Sequence, residues 1–368
     1  MNDRGVAAAP HLVFALPEGP AGPVAAASLA VPLAGVSRPA LLAAPLVAAG
    51  WARAVARAAR AEGLVCRVEP VVTADLAGVT AEVLGSEKEL LRLLPDWFPR
   101  EGSAVDAGVL DRLRAECLVR SSSGERGPDL VRRALFGGRH RYGIVHGERV
   151  RRIRTADARE VEAAAAELLG ERPAFQPFDT TPALAPRTVP IEGPRSHYLL
   201  GTPGVPLSSG RKSALHLAWA LLGGREGILD RVLRKERQLT YSVAAFSREL
   251  AEGGYGMCFA GCRPEALDEV AGCVRAALGE LGRAAVAPDP LRAAKERLIV
   301  QRYRALQSER ALAERLVAYR VAGLGQAELD GYPAALAAVS GTEVSAVARD
   351  LLAPERLIEV RMMGAAER

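Results

Sequence analysis

Ile191–Gly224 reads IEGPRSHYLLGTPGVPLSSGRKSALHLAWALLGG, and Pro17–Gly50 reads PEGPAGPVAAASLAVPLAGVSRPALLAAPLVAAG. At a constant offset of 174 and without a gap, both show Glu-Gly-Pro, an apolar strand-like run, Val-Pro-Leu, a glycine, and a small-residue helix closing on glycine. A second pair lies at the end of each half, where Ile153–Val161 (IRTADAREV) parallels Val339–Val347 (VSGTEVSAV). Both halves are rich in Ala and Leu, so chance similarity competes with duplication. The fixed register over 34 residues favours duplication. Thr155 and Gly341 fall near N-cap positions of the helices that follow, and the acids Asp157 and Glu343 suit the positive end of a helix dipole.

Residues 64–84 (LVCRVEPVVTADLAGVTAEVL) give two strand-like runs rich in Val and Thr. Glu87–Phe98, Asp111–Val119, Asp129–Leu135 and Asp157–Leu169 carry helical patterning. The second half repeats the order: helices Ser213–Leu222 and Gly227–Glu236, strands Leu239–Phe246 and Tyr255–Gly261, then long helices near 265–282 and 289–321. Strands followed by grouped helices, twice over, predict an α+β chain of two antiparallel-sheet domains. The Pro-rich, weakly charged run 171–194 reads as a stiff linker between domains at 1–170 and 195–368.

The chain has 368 residues, 49% of them hydrophobic and 25% charged, which excludes disorder and predicts a substantial core. Its apolar stretch Ala40–Trp51 is too short to cross a bilayer, and MNDRGVAAAPHLVF lacks the pattern of a secretory signal, so the expected location is cytoplasmic. Net charge is +5, and only Lys88, Lys212, Lys235 and Lys295 among the 48 basic residues are lysine. The arginines are interspersed with acids, and aromatics are only 5%, which argues for a solvated mixed-charge surface over a nucleic-acid site. Five cysteines without a CxxC pair argue against a disulfide framework or zinc finger. Cys258 and Cys262 are expected as buried small hydrophobes on one strand face.

The chain has no GxSxG elbow, P-loop or HExxH, and no two of its five histidines stand at i, i+4. His140 and His146 lie in GGRHRYGIVHGER, where a solvated or hydrogen-bonded role outweighs metal ligation. The informative stretch is Leu221–Val243, LLGGREGILDRVLRKERQLTYSV: a glycine turn, an amphipathic helix and a strand. Arg234 and Tyr241 could converge where helix meets strand, and a guanidinium with a phenol suits a peptide carbonyl because both donate hydrogen bonds. The competing reading places Arg234 at the surface and packs Tyr241 inward with Leu239 and Val243.

Leu221–Val243 resembles the C-terminal-half signature of the insulinase/pitrilysin (inverzincin) metallopeptidases, and the similarity continues through 263–281, 289–316 and 339–352. In the first half, LFGGRHRYGIVHGERVRRIRTADAREV (135–161) is similar to the family's His-x-Tyr-Gly and Thr-x-x-Asp run. The resemblance implies two homologous α+β domains forming half of a clamshell. Active members carry His-x-x-Glu-His on the first helix, with a downstream acid as third zinc ligand. Those positions fall here on Leu41, Ala44 and Pro45, which can neither ligate zinc nor act as a base, and Pro45 is expected to distort the helix. In the helix implied to supply the third ligand, 110–120, Leu113 and Arg120 stand where acids are expected, and Glu116 alone could not hold a metal.

The resemblance therefore implies a non-catalytic subunit with no metal or cofactor of its own. Its zinc would be held by a homologous partner subunit in a heterodimer that cleaves unstructured or leader peptides, while Arg234 and Tyr241 bind the substrate. The alternative is a peptidase-like scaffold or peptide-binding protein without a catalytic partner.

Overall fold

Each half of the sequence lays down the same strand–helix–strand–strand order. A computed structural model describes residues 12–17, 24–84, 91–99, 107–120, 126–171, 173, 175 and 187–364. In the first half, β1 (Val13–Ala15), β2 (Val24–Pro32), α1 (Arg38–Ala61), β3 (Cys66–Val72) and β4 (Leu76–Leu84) precede α2 (Leu94–Trp97), α3 (Ala107–Arg120), α4 (Arg126–Phe136), α5 (His146–Thr155) and α6 (Ala158–Leu169). In the second half, β5 (Arg187–Pro190), β6 (Ser196–Pro203), α7 (Lys212–Leu222), a π-helical segment (Asp230–Glu236), β7 (Thr240–Glu249) and β8 (Gly254–Cys262) come first. Helices α8 (Leu267–Leu281), α9 (Pro288–Ala305), α10 (Glu309–Val321), α11 (Gln326–Asp330), α12 (Tyr332–Ala338) and α13 (Gly341–Leu351) follow, and β9 (Ile358–Met363) ends the order.

The duplication is visible in the register. Helix α7 begins 174 residues after α1, and β7 begins 174 residues after β3. The sheets are ordered β1-β2-β4-β3 and β5-β9-β6-β8-β7, so both contain the antiparallel core β2-β4-β3 or β6-β8-β7. The second sheet is not purely antiparallel as expected, because β5 runs parallel to β9. The α+β class holds. Of the expected Glu87–Phe98 helix, the described part is α2; residues 85–90 lie outside the described residues, as do most of the linker 171–194, the Glu-Gly-Pro at 18–20 and the N-terminal 1–11.

Helix α1 forms because Ala, Leu and Val supply good helix formers and a wide apolar face, with Pro39 in the first turn, where no hydrogen-bond donor is lost. The helix is continuous from Arg38 to Ala61, so the distortion expected at Pro45 does not end it. An 18-residue window of α1 has mean hydropathy 1.4, enough by length and composition to cross a membrane, yet 61% of that window is buried inside the protein. Its start is anchored to α6 by the Ser37 N–H and hydroxyl, which donate to the Glu167 carboxylate at 2.6 and 2.7 Å.

The caps lie two positions after and one position before those expected. Asp157, not Thr155, caps α6, and Ser340, not Gly341, caps α13; each forms a reciprocal capping box with the glutamate three residues on. A side-chain oxygen accepts the orphan N–H groups, which glycine cannot do and which Thr155 does not, because its hydroxyl donates back to Arg151 O.

The larger correction concerns the division at the linker. The compact units are 1–124, 146–175 and 303–329 on one side, and 125–145, 176–302 and 330–368 on the other, rather than the contiguous 1–170 and 195–368. Each unit takes a helix from the opposite half of the sequence. Helix α4 packs on β6, β8 and β9, while α10 packs on β1, β2 and β4. The fit of α4 is close: a Cβ on Gly201 of β6 would lie 2.2 Å from Val131 of α4. On the other face of that sheet, Trp219, Leu215, Cys258, Ala260, Cys262 and Val270 belong to one buried cluster. Cys258 and Cys262 thus occupy the buried positions expected of them.

Candidate functional site

The π-helical segment turns directly into the edge strand β7, and this junction carries the two residues singled out in the sequence. The Arg237 N–H donates to Val232 O at 3.1 Å, an i→i−5 bond, and the Leu239 N–H returns to Leu233 O at 2.8 Å. Gln238 takes up the reversal with φ 52°. A π-helical turn of this kind widens the backbone and is found disproportionately at functional positions.

Asp230 opens the segment and is 3% exposed. Its carboxylate accepts from Arg234 Nε at 2.9 Å and lies 3.7 Å from Lys235 Nζ. Arg234 is therefore held side-on at one edge, with its side chain 43% exposed and its remaining N–H donors turned to solvent. The competing surface reading of Arg234 is right about exposure, but the side chain is anchored.

Tyr241 sits at a β-bulge. Thr240 pairs with Cys262 and Ser242 with Gly261, so Tyr241 is the extra residue of β7. The insertion reverses the inside–outside alternation. Leu239 and Val243 pack against the core cluster, whereas Tyr241 stays 49% exposed. The inward packing of Tyr241 with those two residues is thereby overturned. Its ring lies over Gly261, where a Cβ would come within 2.5 Å of the ring carbon bearing the hydroxyl. Partial burial raises the phenol's pKa, and the nearby Arg195 charge opposes that rise. The net direction is upward, so the hydroxyl keeps its proton and donates. Arg234 and Tyr241 make no hydrogen bond to each other among the described residues; each presents donors independently, from adjoining ends of one turn.

In the first unit, Leu41 and Ala44 of α1 are buried at 7% and 0% exposure, and Pro45 is half-buried. The Pro45 carbonyl accepts from Cys117 Sγ of α3 at 3.3 Å. Helices α1 and α3 pack together, as the resemblance implied, but with apolar and charge-paired contacts. Leu113 is fully buried opposite Gly50, Glu116 pairs with Arg53 at 3.1 Å, and Arg120 pairs with Glu69 at 2.5 Å. Among the described residues no group of three or more His, Cys, Asp or Glu is arranged to hold a metal ion. The thiols of Cys117, Cys258 and Cys262 are equally unpromising as nucleophiles, since burial pushes Cys117 and Cys262 up to about 11 and Cys258 up to about 12.

Two histidine clusters tie elements together. His140 accepts the Tyr142 N–H at Nδ1 (3.2 Å), and its Nε2 faces Glu252 at 3.3 Å, so the hydrogen-bonded role expected for it is realised. His216 of α7 lies between the Glu249 carboxylate and the Tyr332 hydroxyl, the latter 2.7 Å from Nδ1. Sequence reasoning missed this second cluster because its members are spread over 116 residues. It also missed Asp230, although the i, i+4 spacing to Arg234 was a usable signal.

Comparison with known proteins agrees with the architecture. Residues 155–298 match a family model described as the Peptidase M16 inactive domain. A protein of Streptomyces coelicolor described as a zinc protease is 30% identical over 190 residues, covering 49% of this chain and 41% of that protein. The matched region thus spans about two fifths of that relative's length. The crystal structure of a peptidase M16 inactive domain from Pseudomonas fluorescens superimposes with TM-score 0.71 at 17% identity, covering 94% of each chain. A protease from Helicobacter pylori does so with TM-score 0.68 at 14% identity, covering 96% of this chain and 94% of that one. A chain of complex III2 from Candida albicans gives TM-score 0.67 at 11% identity, covering 94% and 92%. At such identities the likeness is one of fold. Residues 155–298 are therefore similar to the Peptidase M16 inactive domain, and the described chain shares the fold of the M16 structure on which it superimposes.

Proposed function

We propose that this chain is the non-catalytic subunit of a heterodimeric zinc metallopeptidase, in which Arg234 and Tyr241 bind the substrate peptide and a homologous partner holds the metal. The observation that carries the reading is the junction itself: a π-helical turn and a β-bulge side by side, each presenting an anchored donor to solvent. Among the described residues none fits zinc: the resemblance puts the two motif histidines at Leu41 and Pro45 and the motif glutamate at Ala44, on a largely buried helix.

The two donors suit an extended peptide. The free edge of the Arg234 guanidinium and the Tyr241 hydroxyl can each donate to a main-chain carbonyl, fixing the strand's position without reading its side chains. Both are preorganised, Arg234 by Asp230 and Tyr241 by its seat over Gly261, so little ordering cost falls on the bound state. The substrates are unstructured or leader peptides, since a folded segment cannot offer its backbone.

The test measures peptidase activity on an unstructured peptide with this chain alone, a zinc-bearing homologue from the same genome alone, and the mixture. Activity confined to the mixture, abolished by a chelator and lowered about 10- to 100-fold by Arg234→Ala with assembly intact, supports the reading. An inert mixture with no complex on a sizing column overturns it in favour of a peptide-binding protein without a catalytic partner.

A further inference from the structure

Beside Tyr241 lies an arginine with no carboxylate partner among the described residues. The Arg195 guanidinium carbon sits 5.3 Å from the centroid of the Tyr241 ring, and no described acid pairs with it. A cation–π contact with the ring takes up no carboxylate, so the guanidinium N–H groups remain available to grip one bidentately. The two neighbours already assigned to substrate offer nothing equivalent, because one edge of Arg234 is taken by Asp230 and Tyr241 is neutral.

The backbone that presents Arg195 is held firmly. The buried Ser196 hydroxyl accepts the Gly364 N–H at 3.1 Å, and the Ile191 N–H donates to Met363 O at 2.8 Å. A Cβ on Gly364 would lie 2.4 Å from Arg195 O, so the end of β9 is pressed directly against the residue. Two positions along β6, the His197 ring stacks on Phe259 with centroids 5.1 Å apart. Burial, and then the Arg195 charge, lower the pKa of His197, so its imidazole is neutral near pH 7. The positive charge on this part of the sheet face is then that of Arg195.

We infer that Arg195 is a third substrate-binding residue, reading a carboxylate of the peptide next to the segment held by Tyr241, and that the protein prefers peptides carrying an acidic group there. The inference rests on the peptide-binding role given to Arg234 and Tyr241 above. The carboxylate can be an Asp or Glu side chain or a C-terminus, and the two sources are separable by experiment.

Three fluorescein-labelled, unstructured 12-residue peptides would be titrated against the full chain by anisotropy: one with a central Asp and an amidated end, one with Asn and an amidated end, and one with Asn and a free C-terminus. One of the two carboxylate peptides should bind about fivefold more tightly than the neutral peptide, a modest factor because the site is exposed. The preference should vanish in Arg195→Gln, survive in part in Arg195→Lys, and shrink as salt is raised. Equal binding of all three peptides, or a preference unchanged in Arg195→Gln, overturns the inference; if Arg234→Ala still weakens binding in that case, the peptide-binding reading stands. Absence of binding by all three peptides overturns both.

Discussion

The Tyr241 ring rests on the bare Cα of Gly261, its neighbour across the β-bulge, where a Cβ would approach to within 2.5 Å of the ring. A methyl group at this position therefore acts on the tyrosine's seat. Because Tyr241 is 49% exposed, its ring can swing away at small cost. Gly261→Ala should leave the thermal midpoint within a few degrees of wild type while lowering Tyr241-dependent activity of the mixed complex by about tenfold. A loss of activity accompanied by a large fall in melting temperature would refute this account.

Asp230 is buried and serves Arg234, Lys235 and the Glu226 N–H together. Asp230→Ala should cost about 1–3 kcal/mol in urea denaturation, since it strips partners from the turn. It should also raise the KM of the complex by loosening Arg234. Asp230→Asn, which keeps an acceptor, should fall between the two.

The Glu249 side chain is 4% exposed, and His216 is its partner. Removing the imidazole with His216→Ala leaves a buried carboxylate uncompensated and should destabilise the protein by about 3–5 kcal/mol. The double variant His216→Ala, Glu249→Gln should be more stable than His216→Ala alone, a non-additivity that a simple cavity effect does not produce.

Glu252 sets an acid limit. Burial alone would raise its pKa, but hydrogen bonding from His140 and the charge and hydrogen bonding of Arg141 outweigh it, and the folded value lies below the ordinary 4.5. A depressed carboxylate pKa adds stability that is fully present above the unfolded value and is lost as pH falls through the folded one. Wild type should therefore lose more stability than Glu252→Gln between pH 6 and pH 3, read as the urea midpoint at each pH.

Cutting the chain at the linker should not yield two independent folds. Residues 195–368 alone lack α4, which covers β6 and β9, and residues 1–170 alone lack α10, which covers β1 and β2. Each fragment should be insoluble or molten by near-UV circular dichroism, and co-expression should recover a soluble pair. A well-folded isolated fragment would contradict the exchange of helices.

The repeated strand–helix–strand–strand order was legible in the chain, because a period-2 or period-3.6 apolar pattern and a constant offset are local properties, preserved from α1 and β3 to α7 and β7. Residue identity also settles that Leu41, Ala44 and Pro45 cannot ligate a metal. Where the helices go was settled by packing. The apolar faces of α4 and α10 state that each must be covered and not which sheet will cover it, so their exchange between units was invisible in the chain. The site followed the same division. Arg234 and Tyr241 were legible as residue types, but an i→i−5 turn has no local signature, and a single inserted residue reversed the face on which Tyr241 emerges. Arg195 stands 46 positions before Tyr241 and meets it only because strand pairing brings β6, β8 and β7 side by side.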